Sequence, residues 1–165
     1  MNEQEKYFDD KNYITKIIKS DDDLMNEDGE NKKLKSLVEL LTLPENKDFK
    51  EEALLTLKKE NAGDLLIEVV KKNKKNRDVL IAACWESEIN FSKYLSFFIP
   101  FALDDDYFIS LEAITVIGNM ERPFDNDDIV KAIEDVKEKQ KQMTSERVVL
   151  YNDLIETIKS FKSNI

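Results

Sequence analysis

Apolar positions recur at intervals of three and four along most of the chain, and the spacing predicts helices almost throughout. Tyr7, Phe8, Tyr13, Ile14, Ile17 and Ile18 predict a short amphipathic helix over residues 4–19. Leu34, Leu37, Val38 and Leu41 share one helical face, so a second helix is expected from about 31 to 43, stopping before Pro44. Asp48 with Glu51 reads as an N-cap and its third-position partner. Asn61-Ala62-Gly63 turns into a helix carrying Leu65, Leu66, Val69 and Val70. The segments VLIAACW and YLSFFIPFAL, within 76–103, are apolar nearly all round, as a helix covered on more than one face would be. Pro100 is expected to kink or end the second of them. Asp104-Asp105-Asp106 then caps a helix that stops at Gly118-Asn119, and Asp125 to Asp128 cap another through Ile129, Val130, Ile133 and Val136 into an exposed KEKQKQ. The last helix, from about 145 to 162, has Tyr151, Leu154, Ile155, Ile158 and Phe161 on one side and charges on the other. One apolar face and one wet face suit a terminal cap.

The pattern also repeats. At a shift of 30 residues, Ala53, Ala83 and Ala113 fall in one column, and Phe49, Val79 and Ile109 fall in the column one helical turn earlier. Leu65 meets Leu95, while Val69, Ile99 and Ile129 share another column. A fixed period of this size points to stacked helix pairs that bury their apolar faces only against neighbours. A small residue at a fixed point suits close approach of helices. The expected fold is therefore all-α, a right-handed α-α superhelix of about three pairs with flanking helices. Residues 31–138 would hold the pairs and 143–162 the C-terminal cap of one domain spanning 1–165.

DDDYFISLEAITVIGNM, residues 104–120, resembles the linker and first helix of a HEAT repeat, with Ile109, Ala113 and Ile117-Gly118 at the expected places. FKEEALLTL matches through Phe49, Lys50, Ala53 and Leu57, and VLIAACWES through Val79 and Ala83. The likeness covers roughly 48–138. Where the family usually carries Arg, this chain has Lys50, Leu80 and Ser110. An apolar stack is expected to replace the usual Asp–Arg ladder. The resemblance implies a scaffold that offers an extended groove to protein partners; a minority of such proteins act on DNA or on bound chromophores, and the fold alone does not choose between these.

Composition narrows the chemistry. With 3 Gly and 3 Pro in 165 residues, little turn chemistry is left for sheets. The formal net charge of −10 disfavours nucleic acid and anionic membrane, because both need a clustered cationic surface. It favours a basic or neutral protein partner. The chain has no histidine, which removes His-based acid–base catalysis and His metal ligation. Cys84 is the single cysteine, so neither an internal disulfide nor a structural zinc site of the usual kind is expected. It sits in an apolar run and reads as a buried, inert thiol. No metal or cofactor is expected. The N-terminal 30 residues are acidic and lack a signal-peptide pattern, so a cytoplasmic protein is expected. DDDLMNEDGEN at 21–31 fails as a calcium loop: with Gly29 at the sixth position, Leu24 and Lys35 would stand at the first and twelfth. It reads as a partly mobile, solvated linker. KKNKKNR at 71–77 is the one basic cluster, near a helix C-terminus whose dipole it complements.

Six residues are candidates for partner binding. Tyr94 and Phe98 lie with Phe101 on one stripe of the second helix of the middle copy, a stripe that either packs in the core or lines a concave surface. Trp85 reads either as core or as an exposed anchor. Asp104, Asp105 and Asp106, with Glu86 and Glu88, offer either ordinary caps and solvated charge or a rim for a basic partner. The expected function is a non-catalytic protein-interaction module, a small adaptor or scaffold, with an inhibitor or immunity-type binder of a basic protein as one form. The alternative is an enzyme of the HEAT-like DNA-glycosylase type, which the charge of −10 disfavours.

Overall fold

The computed structural model describes residues 3–19 and 32–162, and among these the regular structure is helical throughout, with no strand. Nine α-helices follow in order: α1 (Glu3–Lys19), α2 (Lys32–Thr42), α3 (Lys47–Lys59), α4 (Gly63–Lys72), α5 (Arg77–Glu86), α6 (Leu95–Ala102), α7 (Tyr107–Gly118), α8 (Asn126–Gln140) and α9 (Ser145–Ser160). The acidic stretch expected as a linker at 21–31 lies outside the described residues. The chain divides into two compact units, Met1–Ile89 and Asn90–Ile165. Their boundary falls between α5 and α6, inside the middle copy of the repeat.

In the first unit α2 is the hub, packed against α1, α3, α4 and α5, while α1 also lies on α3 and α4 on α5. Leu37, Leu41, Leu57, Leu66, Val69 and Ile81 fill the space between them. Local signals end these helices where the sequence places them, with one exception. Pro44 stops α2, but it also opens a short 3-10 turn, Pro44–Asn46, that runs directly into α3. Asp48 therefore lies within the first turn of α3 and is not its N-cap; there it complements the helix dipole. At the other end of α3, Asn61 takes a left-handed conformation with φ of 50°. The Ala62 amide donates to the Leu57 carbonyl and the Asn61 amide to that of Lys58, a Schellman pattern that satisfies two terminal carbonyls. Asn tolerates that conformation better than most residues, which is why it stands there.

In the second unit α6 lies against both α7 and α8, and α9 closes the group on α7 and α8. Asp106 caps α7, its Oδ1 accepting from the amides of Phe108 and Ile109 at 2.9 and 3.2 Å. Asp125 caps α8 in the same way through the amides of Asp127 and Asp128. Gly118 ends α7, followed by Asn119 with a negative φ of −95°. The helix containing Pro100 ends two residues later, at Ala102. Tyr151, Leu154, Ile155, Ile158 and Phe161 are all buried on α9, as their spacing predicts. Phe161 stacks on Phe124, with ring centroids 4.0 Å apart.

Ala53, Ala83 and Ala113 are all fully buried, so the 30-residue column is a column of enclosed positions. The pairing of helices, however, is offset from the sequence copies. The copies group α3 with α4 and α7 with α8. The most extensive packing is instead α1 and α2 on α3 and α4 on α5 in the first unit, and α6 on α7 and α8 on α9 in the second. Small side chains explain the tightest of these. Ala102 on α6 faces Ser110 on α7, whose Oγ donates to the Ala102 carbonyl at 2.6 Å. The Tyr151 hydroxyl donates to that same carbonyl at 3.0 Å and lies 3.5 Å from Ser110 Oγ. Ending α6 leaves this carbonyl without a helical partner, and two buried hydroxyls satisfy it. Ser110, at a place where the HEAT resemblance expects Arg, is fully enclosed.

Candidate functional site

The Asp104-Asp105-Asp106 turn is the most closely built of the candidate sites. Within it, Asp104 Oδ1 accepts from the Asp106 amide at 2.8 Å, and Asp106 caps α7. Arg147, on α9, donates through its guanidinium to the carbonyls of Asp104 and Asp105, each at 3.1 Å. Lys139, near the end of α8, meets the Asp105 carboxylate at 3.0 Å. Three elements thus fix one turn. The hydrogen bond from Lys139, and then its positive charge, hold the Asp105 carboxyl below its ordinary value. That side chain is 92% exposed, so the pair contributes position more than stability.

The sign of this shift sets a prediction. A carboxyl whose folded value lies below its unfolded one contributes stability above the unfolded value of about 3.9 and loses it as pH falls through the folded one. Lys139→Ala is expected to move the Asp105 titration upward toward the ordinary range, as followed by carboxyl carbon NMR. An unchanged midpoint would show that the Lys139 contact does not form in solution.

Two large aromatic residues follow the turn directly. Tyr107 and Phe108 are 52% and 64% exposed, at the first two positions of α7. Their rings meet edge to face, 5.8 Å apart at 75°. The Arg147 guanidinium lies 6.0 Å from the Tyr107 ring centroid, within the range of a cation–π contact. Sequence reasoning missed this pair, because it directly follows three aspartates that read as a helix cap. The available signal was its phase: Ile109 and Ala113 set the inward face, and Phe108 lies off it.

The aromatic stripe of α6 differs from expectation. Phe98 is fully buried, at 0% exposure, and forms no surface. Its ring meets those of Phe91 and Phe97 edge to face, at 5.8 and 5.1 Å. The half-buried residues of α6 and the turn before it are Tyr94, Phe97 and Phe101, so the outward stripe runs at i, i+3, i+7 and leaves Phe98 inside. Tyr94 packs edge-on against Phe97 at 6.4 Å, and Lys93 Nζ lies 5.0 Å from its ring centroid. A second aromatic one position along thus takes the surface place assigned to Phe98.

Trp85 is 36% exposed and falls in the 30-residue column of Leu55, which is also exposed. Burial of the Ala53 and Ala83 column turns the residues two places on toward water. The neighbouring acids are paired within the first unit. Glu86 Oε2 is enclosed without a well-aligned hydrogen bond, and the Lys50 ammonium meets its charge at 2.9 Å. Glu88 pairs with Lys58; that hydrogen bond, then the lysine charge, lowers the Glu88 carboxyl from its ordinary value. Lys50 occupies a place where the resemblance expects Arg, and its partner is a glutamate on α5.

Cys84 is fully buried, and burial pushes its thiol well up, so thiolate chemistry at neutral pH is closed to it. Among the described residues no group of three His, Cys, Asp or Glu is placed to hold a metal ion, and no helix is long and apolar enough to cross a membrane. Comparison with protein-family models, with curated proteins and with solved structures finds no match.

Proposed function

We propose that the chain is a non-catalytic protein-interaction module, a small adaptor or scaffold built as a right-handed solenoid of HEAT-like helix pairs, for a basic or neutral protein partner. The observation that carries the reading is the ordered, exposed aromatic pair Tyr107–Phe108 beside an acidic turn that three elements hold in place. Exposed aromatics fixed before binding lose little freedom on association, and such residues dominate the energetics of protein interfaces. The enclosed Ala53, Ala83 and Ala113 column supports the solenoid reading, because stacked repeats need one small residue at a fixed point. The net charge of −10 sets the sign of the partner and weighs against the DNA-glycosylase alternative.

The test is capture from native lysate at low and at moderate salt, with bound species identified by mass spectrometry and a nuclease-treated control. One stoichiometric protein partner, weakened by salt and indifferent to nuclease, is expected. Capture of nucleic acid alone, or no capture at either salt, would count against the reading.

A further inference from the structure

Resting on the interaction-module reading, we infer that the Tyr107–Phe108 knuckle and the acidic turn beside it form the docking surface for an arginine-bearing basic segment of a partner protein. The aromatic pair supplies apolar area and π faces, with Phe108 the more open of the two. A guanidinium suits this chemistry. Arg147 already lies over the Tyr107 ring while donating to two carbonyls of the turn, which shows both contacts being made by one side chain. A partner's arginine reaches the Phe108 face and the Asp105 or Asp106 carboxylate by the same pairing of ring and acceptor. Three carboxylates, Asp104 to Asp106, stand against two cations, Lys139 and Arg147, so the turn stays negative after its internal pairs are made. Charge complementarity chooses the occupant: a cationic segment is drawn to a chain of net charge −10, while a second copy carrying the same charge is repelled. The surface is rigid, since Asp106 caps α7 and α8 and α9 each supply a cation to the turn.

The experiment is fluorescence anisotropy at moderate salt with labelled oligo-arginine and oligo-lysine peptides of equal length. It is run on the full chain, on Phe108→Ala, and on Leu43→Ala as an exposed apolar control in the other unit. The arginine peptide is expected to bind more tightly than the lysine peptide. Phe108→Ala is expected to weaken it about tenfold, with Leu43→Ala unchanged. Thermal unfolding of Phe108→Ala should stay near that of the parent chain, because the ring is exposed. Equal binding by Phe108→Ala and the parent, equal affinity for the two peptides, absence of binding, or self-association at this surface would each overturn the inference. Capture of a lysate protein that Phe108→Ala leaves unaffected would remove this surface and leave the module reading standing; absence of any captured protein would remove the reading itself.

Discussion

Phe98→Asp is expected to lower the stability of the second unit by about 4 kcal/mol or more, enough to unfold it under ordinary conditions. Removing the buried ring alone costs about 3–5 kcal/mol through lost transfer energy and the cavity left behind. The aspartate adds an unpaired charge among apolar groups, whose neutralisation by proton uptake also costs free energy. Phe98 is fully enclosed, and the rings of Phe91 and Phe97 against it offer an aspartate no compensating charge. Thermal unfolding followed by circular dichroism measures the effect. A melting temperature close to that of the parent chain would return Phe98 to the surface.

Ser110→Arg is the second large effect, again about 4 kcal/mol or more, with loss of the close approach between α6 and α7. Ser110 Oγ lies 2.6 Å from the Ala102 carbonyl and is enclosed, so a guanidinium there has no room and loses its hydration. A smaller change separates space from hydrogen bonding. Ser110→Ala removes one donor from a carbonyl that Tyr151 still serves, and should cost only about 1 kcal/mol. The contrast between the two substitutions is the measurement. Near-equal effects would mean that the helices separate easily, and that the Ala102–Ser110–Tyr151 cluster does not set their distance.

These two positions also show where the sequence was legible and where it was not. Helix positions could be read because period, caps and breakers agree locally: Asp106, Asp125 and Pro44 each act within a few residues. Burial along the Ala53, Ala83 and Ala113 column could be read because a small residue recurs there at one phase of the apolar pattern. Which helices pair could not. That choice rests on side-chain size at facing positions such as Ala102 and Ser110, eight residues apart in the chain but on different helices, and a repeat register does not encode it. The Asp48 error has a similar origin, since the 3-10 turn after Pro44 continues the helix backward past the apparent cap.

The site was legible in part. The acidic turn was found because three consecutive aspartates are conspicuous, but its ties to Lys139 and Arg147 span 34 and 42 or 43 residues and leave no local trace. On α6 every residue from Leu95 to Ala102 except Ser96 and Pro100 is apolar, so the hydrophobic pattern gives little phase information there. Phe97 and Phe98 were therefore interchangeable on paper, and only packing against Phe91 decides between them.

The most direct test of the proposed role is light scattering on the purified chain mixed with the protein that it captures, at low and at moderate salt. A defined complex of fixed stoichiometry, losing affinity as salt rises, is the predicted result. A mixture that stays as two separate species at both salt concentrations would contradict a binding module whose partner is chosen by charge and an exposed aromatic pair.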